Sequence, residues 1–131
     1  MSRNDLEDRL IAFAVRAVML AGQLPKTIIG IRLTDQLIRA SSSAPLNYGE
    51  AQSAESRKDF IHKIKVVLKE LRESHVALKM INGLTMVKDQ QELDFLLKEA
   101  NELVSIFVTS VETARRNERL GTKNTQYRRP K

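Results

Sequence analysis

A chain of 131 residues with 42% hydrophobic and 29% charged content can bury one continuous core, which excludes a disordered polymer. Cysteine is absent, excluding disulfides, thiolate metal sites and cysteine nucleophiles and fitting a reducing cytoplasm; no run reaches the roughly 18 apolar residues of a membrane span. The net charge of +6 is concentrated at the C-terminal end, where Arg115, Arg116, Arg119, Lys123, Arg128, Arg129 and Lys131 face only Glu118, so that residues 1–114 sum to zero.

Aromatic residues make up 5% of the chain and tryptophan is absent, so the core must come from Leu, Ile, Val and Ala. Three prolines and five glycines allow few turns, which favours a few long helices. The first helix is predicted over residues 4–23, where Leu6, Leu10, Phe13, Ala17, Leu20 and Leu24 recur in steps of four and three. Asn4 is the expected cap, and Gly22 and Pro25 stop the helix. Its charges leave no uncharged signal-peptide core, so a soluble, cytoplasmic protein is expected. A second apolar row, Ile11, Val15 and Val18, is more than one small core needs.

The second helix, 28–53, carries Leu33, Leu37, Ala40, Ala44, Asn47 and Ala51 in the same rhythm. Pro45 interrupts it, predicting a kink or local break near Ser41, with the serines at 41–43 available to satisfy the freed carbonyl. No Gly-x-Ser-x-Gly turn surrounds those serines, so a nucleophile is not indicated. In the third helix, 55–82, Phe60, Ile64, Val67, Leu71, Ser74, Leu78 and Ile81 form the stripe, and Gly83 ends it. The fourth, 89–117, repeats the pattern with Leu93, Leu97, Ala100, Val104, Phe107, Val111 and Ala114, and Asp89 with Glu92 suggests a capping box. Short connections and steps averaging 3.5 residues predict an all-α, antiparallel, up-and-down, left-handed four-helix bundle over residues 1–117, followed by a basic, flexible tail over 118–131.

The run Arg39-Ala40-Ser41-Ser42-Ser43-Ala44-Pro45-Leu46-Asn47-Tyr48-Gly49-Glu50-Ala51 resembles the Ser-x-x-Ala-Asn-Tyr-Gly-Glu-Ala signature of the family of four-helix bundle proteins also called 23S rRNA-intervening-sequence proteins. The likeness continues through Ala54–Lys63 and Leu68–Ser74. Leu46 stands where the family usually has Ala, and Ala77 where many members have Trp. The resemblance implies a bundle that often assembles as a ring-shaped homopentamer. It also implies kinship with accessory proteins of diversity-generating retroelements, which associate with a reverse transcriptase and nucleic acid. Most members have no assigned function.

Two basic features are candidate contacts for RNA or DNA. Lys58, His62, Lys65, Lys69, Arg72 and Lys79 follow helical spacing opposite the Phe60 stripe, a row able to track a phosphate backbone. The alternative is a solvated face partly neutralised by Glu70 and Glu73. Arg115, Arg116 and Arg119 suit the C-terminal end of a helix in any case, whereas Arg128, Arg129 and Lys131 do not. With Tyr127 as the one aromatic nearby, binding is expected to be sequence-tolerant.

Asn47, on the core-facing stripe, is the expected buried polar residue that fixes register or assembly. Ile11, Val15 and Val18, with Ile28, Ile31 and Ile38, form an apolar surface that predicts a homo-oligomer; the number five comes from the resemblance. His62 and His75 lie about 220° apart around one helix at 100° per residue and cannot share a metal. Paired Glu-x-x-His motifs, Gly-x-Gly-x-x-Gly and phosphate loops are all missing. A non-enzymatic adaptor without metal or cofactor is expected, with a protein-interaction module that binds no nucleic acid as the alternative.

Overall fold

The computed structural model describes residues 2–121. Four helices fill this span: α1 (Arg3–Ala21), α2 (Ile28–Gln52), α3 (Arg57–Gly83) and α4 (Gln90–Gly121). Each begins at a side-chain oxygen that accepts one of the amide hydrogens a helix start leaves unpaired. Ser2, not Asn4, caps α1: its Oγ accepts from the Asp5 amide while Asp5 accepts from the Ser2 amide. Thr27 and Ser56 cap α2 and α3 by accepting from Gly30 and Asp59. Asp89 accepts from the Glu92 amide as expected, but the Glu92 carboxylate turns away to Arg16.

Cross-helix contacts show that consecutive helices run antiparallel. Along α1, Arg9 reaches Glu99 while Arg16, farther on, reaches Glu92, so α4 descends as α1 rises. Gln36 donates to Glu73 and Lys63 to Glu50, which sets α2 against α3. Arg57 donates to the Asn117 carbonyl and Gln90 to Asn82, which sets α3 against α4. The Thr34 hydroxyl reaches the Ala21 carbonyl and joins α1 to the early turns of α2.

The stripes meet along the axis. Leu10, Phe13, Leu20, Leu37, Leu71, Leu78, Leu93 and Phe107 are all less than 2% exposed. On α4 the buried positions are Leu93, Leu96, Ala100, Leu103, Phe107 and Val111, with Leu97 and Val104 half-buried beside them. Of the predicted stripe, Leu93, Ala100, Phe107 and Val111 are in the core, whereas Leu97 and Val104 lie on its flank and Leu96 and Leu103 take the core places between them. On α3, Ile61 is buried and Phe60 half-buried.

Two expectations for α2 are corrected. The local break expected near Ser41 is absent, because α2 runs as one helix through Pro45. Proline at 45 removes the amide that would bond to Ser41, yet the nearby hydroxyls do not serve that carbonyl. Ser41 donates to Leu37 at 2.6 Å and Ser42 to Ile38 at 2.7 Å, the backward bonding of helical serines. Asn47 is half-buried and donates to the Ser43 carbonyl at 2.9 Å. Tyr48 takes the core position, its ring 5.7 Å from that of Phe107 in an edge-to-face contact.

Candidate nucleic-acid interface

The third helix exposes its basic row because its apolar positions face the core. Lys58, His62, Lys65, Lys69, Arg72 and Lys79 are all exposed. From Lys58 to Arg72 the row runs about 21 Å at 1.5 Å per residue. Antiparallel packing then adds α4. Lys65, Lys69 and Arg72 line one wall of a groove of about 320 Å³, and Arg115 stands on the opposite wall. Leu68, Val108 and Val111 form the apolar floor, and Glu112 is the acid within it.

Neutralisation inside this groove is slight. Among the described residues Lys69 is the one member of the row in an ion pair, at 3.5 Å from Glu73, with 69% of its side chain exposed. Such a pair contributes little in water. Glu70, expected to screen the row as well, is instead buried. Burial, and next the neighbouring Glu73 carboxylate, push its carboxyl above the usual range. His75, outside the row, is held below its ordinary value by burial and then by Lys79.

The remaining candidates separate by position. Arg116 and Arg119 are exposed on the last turns of α4, which extends to Gly121, four residues past the predicted end. The Arg57–Asn117 bond fixes that end of α4 beside the start of α3, near Lys58. Arg128 and Arg129, with the tail from residue 122 onward, lie outside the described residues.

Two further grooves flank α2. Between α1 and α2, Ile11, Val15, Pro45 and Leu46 line about 300 Å³. Ile11 is 46% and Val15 52% exposed, and Val18 is half-buried at the edge of the row. Between α2 and α3 a groove of about 450 Å³ is lined by Ile29, Leu33, Val76 and Met80, with Arg32 and Arg72 at its rim. Arg72 therefore borders grooves on both sides of α3. Arg32 was not singled out from the sequence, because nothing in the periodicity of α2 reveals which α3 residues stand across from it. Among the described residues no three His, Cys, Asp or Glu side chains group to hold a metal ion, and no helix is long and apolar enough to cross a membrane.

Comparison with known proteins places the chain. No curated protein matches it. Among solved structures, a protein of unknown function from the S23 ribosomal protein family of Bacteroides thetaiotaomicron superposes with a TM-score of 0.74. The two are 26% identical, over 86% of this chain and 99% of the other. The profile of the family described as 23S rRNA-intervening sequence protein matches residues 4–109, and by that match, together with the four-helix architecture, the chain belongs to this family.

Proposed function

We propose that the protein is a non-enzymatic, oligomeric adaptor that holds nucleic acid, RNA or DNA, or a protein that handles it such as a reverse transcriptase. The observation that carries this reading is the α3–α4 groove, where Lys65, Lys69, Arg72 and Arg115 converge around one acid, Glu112. A solvated helix face would not require bases from two helices to share one concavity. Phosphate contacts of this kind are individually weak, and copies of the groove repeated around a homopentamer would turn them into avidity. The exposed Ile11 and Val15 row supports such assembly.

Binding of labelled single-stranded RNA and duplex DNA, measured by anisotropy across a salt series, tests this. Replacing Lys65, Lys69 and Arg115 together by Gln is expected to weaken binding at least tenfold and to flatten the salt slope by about 2–3, since each lost phosphate contact removes about 0.7–0.9. Removing residues 122–131, which hold Lys123, Arg128, Arg129 and Lys131, is expected to flatten it further. An intact protein that binds neither polymer at low salt would overturn the reading in favour of a protein-interaction module.

A further inference from the structure

We infer that the groove between α2 and α3 is a docking site for an acidic amphipathic helix of another protein. Its floor is built in level rungs. The Gln36–Glu73 hydrogen bond of 3.2 Å sets the register, which brings Leu33 level with Val76 and Ile29 level with Met80. The rungs repeat one helical turn apart on both walls, so the groove has an apolar floor that follows the two helices. A third helix seats in such a trough by side chains one turn apart. Leu33 is buried at the bottom, whereas Val76 (53%), Met80 (44%) and Ile29 (37%) stay open to solvent on the sides.

Charge complementarity decides what kind of helix fits. Arg32 and Arg72 stand at the rim on opposite walls, and neither is in an ion pair among the described residues. Glu73, the acid lining the groove, already bonds to Gln36 and lies 3.8 Å from Arg39 and 3.5 Å from Lys69. The trough thus offers two uncommitted guanidiniums beside an apolar floor. A partner helix with apolar residues one turn apart and a carboxylate on either flank satisfies both, and arginine suits that contact through its paired donors. A basic helix would meet like charge at both rims. This inference does not depend on nucleic-acid binding.

The test is selection of displayed, randomised amphipathic helices on the intact protein, with the Val76→Asp/Met80→Asp variant as counter-selection. Both positions are exposed, so that variant is expected to melt like the wild type. Enrichment is expected for helices with apolar residues at i, i+4 and i+7 flanked by Asp or Glu. The same helices should bind Arg32→Glu/Arg72→Glu at least tenfold more weakly. Basic flanks, or no helix that distinguishes the wild type from Val76→Asp/Met80→Asp, would overturn the inference. So would a change of oligomeric state in that variant by light scattering, which would seat a second copy in the groove. Helix binding without any nucleic-acid binding would sustain this inference while the adaptor reading fails.

Discussion

Glu70 shows how much one side chain can oppose the fold that contains it. It is 7% exposed and one carboxylate oxygen has no hydrogen-bond partner, while Glu73 sits one turn away. Burial and the Glu73 charge both favour the protonated form. The folded state therefore binds this proton more tightly than the unfolded chain does. Its contribution to stability is greatest at acid pH and is lost as pH rises from the unfolded carboxyl value through the raised folded one. Glu70→Gln removes the charge with little change of shape. We expect it to raise stability near pH 7 by about 1 kcal/mol and to lessen the decline between mildly acid and neutral pH. Thermal melts across that range decide it: a variant less stable at pH 7 would show that the carboxylate is favourably held.

At the scale of the helix, two glycines of α2 make opposite demands. A Cβ at Gly30 would stand 1.9 Å from the Pro25 carbonyl oxygen, which comes from the connection that closes onto the first turn of α2. Backbone cannot yield as a flexible side chain can, so Gly30→Ala is expected to cost about 2–3 kcal/mol. A Cβ at Gly49 would meet nothing within 4 Å. There Gly49→Ala should raise stability by about 0.5–1 kcal/mol, the usual gain of alanine over glycine inside a helix. Urea unfolding of the two variants should move the midpoint in opposite directions. A stable Gly30→Ala would mean that the α1–α2 connection adjusts freely. Gly49→Ala adds a methyl group to open space and serves as the stability control for binding measurements, whereas Gly30→Ala acts next to Ile29 of the α2–α3 groove.

At the scale of the molecule, the apolar surface left outside the core is the main question. Ile11, Val15, Met19 and Leu46 are each 46–66% exposed along α1 and the neighbouring face of α2, and Ile28 and Ile31 more than half exposed at the start of α2. In the proposed oligomer this exposed apolar surface would form the contact between subunits. Light scattering of the intact protein is expected to give a multiple of 14.9 kDa. Ile11→Asp/Val15→Asp should shift it toward the monomer while leaving a cooperative melt. A monomeric wild type would remove the multivalent part of the proposed adaptor. Charge is arranged separately from this face: Arg9 holds Glu99 through two hydrogen bonds of 2.7 and 2.8 Å, and Arg16 packs 3.6 Å over the Phe95 ring while pairing with Glu92. These contacts tie α4 to α1, where the row of bases is not.

Periodicity was enough to establish four helices, their order and most of the core, because burial of one face leaves its spacing in the chain whatever the partners are. Leu10, Phe13, Leu37, Leu71, Leu78 and Phe107 were all legible in this way and all are buried. The exposed row of α3 was legible for the same reason, as the complement of its apolar face. Fine position was not. Asn47 and Tyr48 are adjacent, and the one turned inward is Tyr48, whose ring meets that of Phe107 on another helix. Leu96 and Leu103 prevailed over Leu97 and Val104 because α4 must meet both α1 and α3. The grooves belong wholly to tertiary structure. Arg115 joins Lys65, Lys69 and Arg72 only through the antiparallel register of α3 and α4, and Arg32 faces the α2–α3 trough only through that of α2 and α3. Spacing within a helix records which face is buried; it carries no record of which residues of a neighbouring helix stand across from it.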